Sequence, residues 1–339
     1  MTSETVTNTP PLAGKPPSPL RALLRWESAL VLVLIATLIF GSATSPHFLQ
    51  ITNVFYIGLN MGEIAIMALP LMLIIITAEI DLSVASMLGL SGAVMGALFS
   101  AGWPVWAAMG ASLLVGLAGG ALNGLLVAKL GLPSIAVTIG TLTLFRGLAE
   151  IVLAPRTVTG FPLSLTDIGA VPIPGTEIAW STLIFLVLAV ITGIVLHATP
   201  LGRAIVATGL QPEAARFSGI RVNRLKFWLF VISGLLCAFA GILFTLKNAS
   251  VSYDAGTGLE LNVVAIVLFG GVSIFGGKGS VIGVVLSVVV VGCLQQALTQ
   301  LNVAPEIQNI VIGALLLISV IIPNGREALR RIRARARRG

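Results

Sequence analysis

The sequence predicts an all-α polytopic membrane protein with about ten transmembrane helices in two inverted five-helix repeats and cytoplasmic termini. Three observations lead there. The chain of 339 residues is 56% hydrophobic and 10% charged, with mean hydropathy +1.03, whereas a soluble domain carries about 25% charged residues. Its apolar runs divide into ten segments close to the roughly 20 residues that span a bilayer as a helix. Its positive charge falls almost wholly into alternate connections. Positive side chains resist translocation, so those connections are expected on the cytoplasmic side.

The elements follow in order. Residues 1–26 are rich in Pro, Thr and Ser and carry Lys15, Arg21 and Arg25; a disordered cytoplasmic arm is expected. The transmembrane region is expected over 27–325, with repeat halves at about 28–154 and 179–322. The first apolar run begins near Ser28, is long enough to span and shows no clear small-residue cleavage site, which argues for a retained span rather than a signal peptide. Further spans are expected near Val54–Thr77, Leu82–Ala101, Val105–Ala128 and Ser134–Ala154. A proline-containing external loop, Pro155 to Ile178, precedes a sixth span near Ala179–Leu196. The remaining spans are expected near Phe227–Leu246, Leu261–Phe275, Ser280–Thr299 and Glu306–Ile322, followed by a basic tail, 326–339. On this parse 17 of the 20 Lys and Arg are cytoplasmic, Arg156 and Lys247 are external, and Arg146 lies within a span.

The repeat expectation rests on shared register. Asp81-Leu82-Ser83-Val84 opens the third span and Glu260-Leu261-Asn262-Val263 the eighth. Gly92 then matches Gly271, while Gly120, Asn123 and Pro133 match Gly292, Gln295 and Pro305. Matching spans that run in opposite directions make an inverted repeat, which places a pathway at the interface of the halves.

Several chemistries are excluded. His47 and His197 are the only histidines, and Cys237 and Cys293 lie within apolar segments; these residues make neither a zinc-type cluster nor a catalytic grouping. The seven arginines of the tail explain the basic balance without a nucleic-acid surface and suit anionic lipid. Gly270 to Ser280, GGVSIFGGKGS, lacks the phosphate-loop spacing: Val272 stands where the first glycine belongs, and Gly279 follows Lys278. No cofactor is therefore expected on this chain.

Polar groups within the spans each have two readings. Asp81, with Ser83 beside it, either caps the third helix or touches a solute. Glu79 is either solvated at a boundary or lines a wet cavity. Asn123, Gln295 and Gln296 either tie helices together or contact a polar solute; Glu260 and Asn262, at the matching helix start, are candidate pathway-lining residues. Arg146 either pairs with Glu150 or faces an interior cavity. Small residues from Gly110 to Gly124 permit close helix contact.

The connection 199–227 stands apart. Arg203, Arg216, Arg221, Arg224 and Lys226 face one acid, Glu213. A helix of about two turns is expected between Pro212, suited to a first turn, and Gly219, a left-handed stop. Ala214, Ala215 and Ser218 offer a small-residue surface, with Phe217 as an anchor; an ordinary solvated loop is the alternative.

Glu213-Ala214-Ala215 followed by Gly219 resembles the EAA signature of permease subunits of ATP-binding-cassette importers. GRAIVATGLQPEAARFSGIRVNRLKF, the IDLSV stretch and the glycine-rich turn 270–280 resemble the ribose-type branch, although Glu79 and Ala85 replace glycines of its GIDLSVGS-type motif. The resemblance covers about Trp26 to Ile322. It implies an ATPase-coupling loop containing Gly202, Arg203, Pro212, Glu213, Ala214, Ala215, Arg216, Gly219 and Ile220. It implies a cytoplasmic ATPase subunit that uses the ATP and magnesium, and a second permease copy or a paralogue. It also implies a periplasmic solute-binding protein and residence in the bacterial inner membrane. Substrates in this branch are mostly monosaccharides, and GFPLSLTDIGAVPIPG is most similar to autoinducer-2 or rhamnose permeases. An ion-coupled secondary transporter is the alternative from the residues alone.

Overall fold

The computed structural model describes residues 26–153, 155–315 and 317. The expected arm over 1–25, the end of the tenth span and the basic tail lie outside the described residues. Among those described, seven helices are long and apolar enough to cross a membrane. They are α1 (Trp26–Thr44), α2 (Thr52–Ile76), α4 (Val105–Gly124, continued to Lys129 by a π turn), α5 (Ser134–Leu153), α7 (Trp180–Ala198), α10 (Val222–Asn248) and α12 (Val281–Gln300). Two shorter apolar helices, α3 (Val84–Ser100) and α11 (Leu259–Phe269), stand where the third and eighth spans are expected. A helical segment over 305–315 begins where the tenth is expected.

The core is built around α2 and α10. From Met61 to Ile76 every residue of α2 is buried, which requires a helix apolar on all sides. It packs against α7, α10, α11 and α12, while α10 packs against α2, α3, α4 and the short α6 (Leu163–Ala170). The closest seam joins α4 to α10. Gly116, Gly120 and Gly124, one turn apart, face the backbone of Gly234, Phe230 and Phe227; a Cβ on Gly124 would stand 2.8 Å from the Phe227 carbonyl oxygen. Gly234 returns the contact to Gly116. This is the close helix approach expected of the small residues over 110–124.

Two stretches differ from expectation. The loop 155–178 is ordered by α6 (Leu163–Ala170) and by strand β1 (Val158–Thr159), paired antiparallel with β2 (Ser250–Val251) after α10. Gly169 lies so close to the backbone of Leu246 and Lys247 that a side chain there would clash, and Phe99 stacks on Phe161 at 4.7 Å. These ties are long-range, so the proline count of the loop did not announce them. The connection 199–227 holds two helices, α8 (Pro200–Leu210) and α9 (Pro212–Phe217), and α10 begins at Val222 rather than near Phe227. Thr199 accepts from Gly202 N at 3.4 Å with Pro200 in the first turn, a start signal present in the sequence.

The α4–α10 seam gives the first prediction. Gly120→Val is expected to destabilise the bundle by about 1–3 kcal/mol through overpacking, read as a lower thermal unfolding midpoint in detergent. Gly110→Ala, with nothing within 4 Å of its added Cβ, should leave that midpoint unchanged.

Candidate functional site

The most exposed large hydrophobic side chain in the connection between α7 and α10 is Phe217, 91% exposed at the end of α9. Helix α9 is short but sharply bounded. Pro212 occupies its first turn, Glu213 sits at the positive end of the helix dipole, and Gly219 takes φ +85°. Gly219 N donates to Arg216 O at 2.9 Å and Ile220 N to Ala215 O at 3.0 Å, closing the C-terminus. Arg216 donates to Glu213 at 2.9 Å and to Asn223 Oδ1 at 3.1 Å. The small-residue surface differs from expectation at one position. Ala215 is 3% exposed and faces the chain's own helices, whereas Ala214 and Ser218 remain exposed beside Phe217. Helical spacing explains this, because neighbouring residues of one turn cannot all share a face. Arg203 is exposed on α8, whereas Gly202 is buried against Leu196.

What fixes α8 and α9 to the bundle is a three-way backbone junction. Gly277 N donates to Ile76 O, the end of α2, at 2.8 Å. Gly209, at the end of α8, has no room for a Cβ against Ile76 O and Gly277 N. Gly276 also lies close to Gly209 O and Ala78, 2.8 and 2.9 Å from an added Cβ. The glycine-rich turn 270–280 therefore packs between α8 and α2. It is a structural wedge, consistent with its failure to match a phosphate loop.

Beside this junction, the segment 77–83 runs unwound between α2 and α3. Helix α5 satisfies the backbone of Ile80: Ser134 Oγ accepts from Ile80 N at 3.1 Å, and Thr138 Oγ1 donates to Ile80 O at 3.2 Å. Asp81 Oδ1 accepts from Ser83 N and Ser83 Oγ at 2.9 and 2.6 Å, making a turn that leads into α3. Ser233 Oγ donates to Asp81 Oδ2 at 3.2 Å, and Asn123 Nδ2 to Ser83 Oγ at 2.8 Å. Asp81, Ser83 and Asn123 thus form one buried network joining the α3 start to α4 and α10. The matching stretch is built differently. Glu260 lies within the first turn of α11, and Asn262 makes no side-chain hydrogen bond among the described residues.

Three ion pairs tie residues before 155 to residues after 199. Lys226 on α10 pairs with Glu79. Lys247, at the other end of α10, donates to Glu63 at 2.8 Å and to Leu59 O at 3.1 Å. Arg146 donates to Ala255 O at 2.6 Å and faces Glu260 at 3.8 Å. The expected Arg146–Glu150 pair does not form: Glu150 is exposed, and the first turn of α11 brings Glu260 to Arg146 instead. Glu63 and Lys247 escaped sequence reading; their signal was an acid in an otherwise apolar helix and a lysine at the end of another.

Gln295 and Gln296 are elsewhere. With Asn60, Thr299, Gln308 and Asn309 they line a cavity of about 210 Å³ between α2, α12 and the segment 305–315.

The chain matches the family described as "Branched-chain amino acid transport system / permease component" over residues 53–320. That match spans most of the sequence and every element described above except α1. The chain belongs to this permease family. A permease of Klebsiella pneumoniae named as the autoinducer 2 import system permease protein LsrD is 33% identical over 309 residues, covering 88% of this chain and 91% of that protein. The protein of that name from Escherichia coli K12 is 32% identical over 302 residues, covering 87% and 91%. No solved structure matches. Family membership agrees with the resemblance drawn from the Glu213–Gly219 and IDLSV stretches, and makes this permease a multi-pass membrane protein.

The Lys247–Glu63 bridge is a stability test for the permease. Both side chains are largely buried, 16% and 3% exposed. Lys247→Met should cost about 3–5 kcal/mol by leaving a carboxylate unpaired, and adding Glu63→Gln should recover most of it. Thermal unfolding of the four proteins in one detergent reads the cycle.

Proposed function

We propose that this permease is the transmembrane subunit of an ATP-binding-cassette importer that moves a monosaccharide or similar small polar solute inward across the bacterial inner membrane. Autoinducer 2, named for the relatives, is the first solute to test, with rhamnose beside it. The observation that carries the proposal is α9: a capped helix with Phe217, Glu213, Ala214 and Ser218 exposed, seated on a rigid backbone junction with α2. A helix of six residues is not stable alone, and its exposed aromatic anchor suits a partner surface. In this reading the partner is a cytoplasmic ATPase subunit that binds the ATP and magnesium, and this chain holds no cofactor of its own. A second permease copy or a paralogue completes the membrane assembly, and a periplasmic binding protein delivers solute near 155–178.

The charge count orients α8 and α9 to the cytoplasm with both termini on that side. Trp26 supports the N-terminal part of this: its Nε1 donates to Phe269 O at 2.8 Å, beside the glycine-rich turn that contacts α8. Ten spans in two inverted halves suit the crossed packing, in which α2 contacts α11 and α12 while α10 contacts α3 and α4. ATP-driven closure of the ATPase would then move α9, and the Gly209–Ile76–Gly277 junction would pass that motion to α2.

Co-expression with a candidate ATPase followed by co-purification tests the coupling surface. Phe217→Ala is expected to weaken capture by about 2 kcal/mol, roughly 30-fold, and Glu213→Ala with Gly219→Pro to abolish it and the solute-stimulated ATP turnover. Undiminished capture by both variants would remove α9 from the interface. No capture of a monodisperse wild-type protein would favour the ion-coupled alternative.

A further inference from the structure

The cavity between α2, α12 and 305–315 opens to the surface, with Asn60, Thr299 and Asn309 exposed and Gln295, Gln296 and Gln308 partly buried. Six of its lining residues are polar and none is charged: Asn60, Gln295, Gln296, Thr299, Gln308 and Asn309. Gln295 lies on a membrane-spanning helix, about 8 Å below its C-terminal end at 1.5 Å per residue. Groups of this kind facing hydrocarbon are costly, so the cavity must meet water, solute or another protein group.

Part of the lining is held in place. Gln296 Nε2 donates to Asn53 Oδ1 at 2.8 Å, and Gln300 Nε2 shares that acceptor at 3.0 Å. Gln308 Nε2 donates to Thr299 Oγ1 at 3.2 Å and to Val303 O at 2.9 Å. Another part is uncommitted: the side chains of Asn60, Gln295 and Asn309 make no hydrogen bond among the described residues. Each of these amides offers two donors and an acceptor. The floor is set by Gly292, where a Cβ would meet Ile57 and Met61 at 2.8 and 2.9 Å. A glycine there lets α12 lie against α2 and leaves the space above it open.

We propose that this cavity is the permease's own solute subsite, and that it takes small, neutral, polyhydroxylated molecules. Amides pair donor for donor and acceptor for acceptor with hydroxyl groups and supply no charge to compensate an ionic solute, which would lose its hydration unpaid. The volume of about 210 Å³ lies below the roughly 300–1,000 Å³ of drug-sized sites. The few free amides suit weak binding, which a transport path needs so that solute leaves again. The subsite rests on the transport reading above but not on its energy source.

The test is labelling of Gln295→Cys in membrane vesicles, in a background carrying Cys237→Ala and Cys293→Ala, with a small water-soluble thiosulfonate. Vesicles without any ATPase subunit are used first, so that failure of the ATP-driven reading does not affect the outcome. Gln295→Cys is expected to label at least about tenfold faster than Leu122→Cys, an exposed apolar position. Millimolar D-ribose, L-rhamnose or autoinducer 2 should slow labelling of Gln295→Cys about tenfold, and ribonate should not. Labelling no faster than at Leu122, or slowed equally by ribonate, or slowed by none of the neutral solutes, overturns the proposal. Gln295→Leu should lower solute uptake by the full importer about tenfold with unchanged ATPase capture, because that side chain holds nothing else; unchanged uptake also overturns it. Loss of ATPase capture in the wild type with labelling still protected would instead remove the importer reading and leave the subsite standing.

Discussion

The antiparallel pairing of α2 and α10 is the contact on which the bundle depends. Both helices are nearly surrounded by protein, so neither can be added late or removed without exposing its partners. Each end of the pair is closed by a lysine of α10 and a carboxylate at or beyond α2, Lys247 with Glu63 and Lys226 with Glu79. Charges at such depth are tolerated only when matched. A matched pair is a specificity device more than a source of stability: a one-turn slip of α10 along α2 would separate both pairs at once.

Around that axis, close approach is achieved in two ways. Along α4 and α10, Gly116, Gly120, Gly124 and Gly234 bring backbones together inside the bilayer, where van der Waals contact drives association. At the edge of the bundle, Gly209, Gly276 and Gly277 bring three chain turns onto the end of α2. A single residue, Gln211, separates α9 from α8, and the end of α8 lies in backbone contact with the end of α2. Lys226, near the start of α10, ties the other helix of the central pair to the same region.

Polar groups inside the spans divide into two populations that composition does not separate. Asp81, Ser83, Asn123 and Ser233 hydrogen-bond one another and stitch α3, α4 and α10 together. Asn60, Gln295 and Asn309 leave theirs open toward a cavity. Asn123 and Gln295 match in the expected repeat register, yet one lies in a buried network and the other beside open space. The unwound segment 77–83 fills the space beside Asn123, whereas near Gln295 the small Gly292 of α12 faces Ile57 and Met61 of α2 and lines the floor of the cavity.

The sequence alone determined the class of the protein. Hydropathy marked every long apolar helix, because lipid demands uninterrupted apolar runs, and helix-terminal chemistry located α9 through Pro212 and Gly219. The family was legible in Glu213 to Gly219 and in the IDLSV stretch. Tertiary structure decided what acts at a distance. It chose Glu260 over Glu150 for Arg146, turned Ala215 inward, and tied the loop 155–178 down with α6 and β1. It also brought α12 and 305–315 together around a cavity. Helix periodicity and caps are encoded within a few residues and can be read locally. Ion pairs and cavities join residues far apart in the chain, and their partners are fixed only when the helices pack.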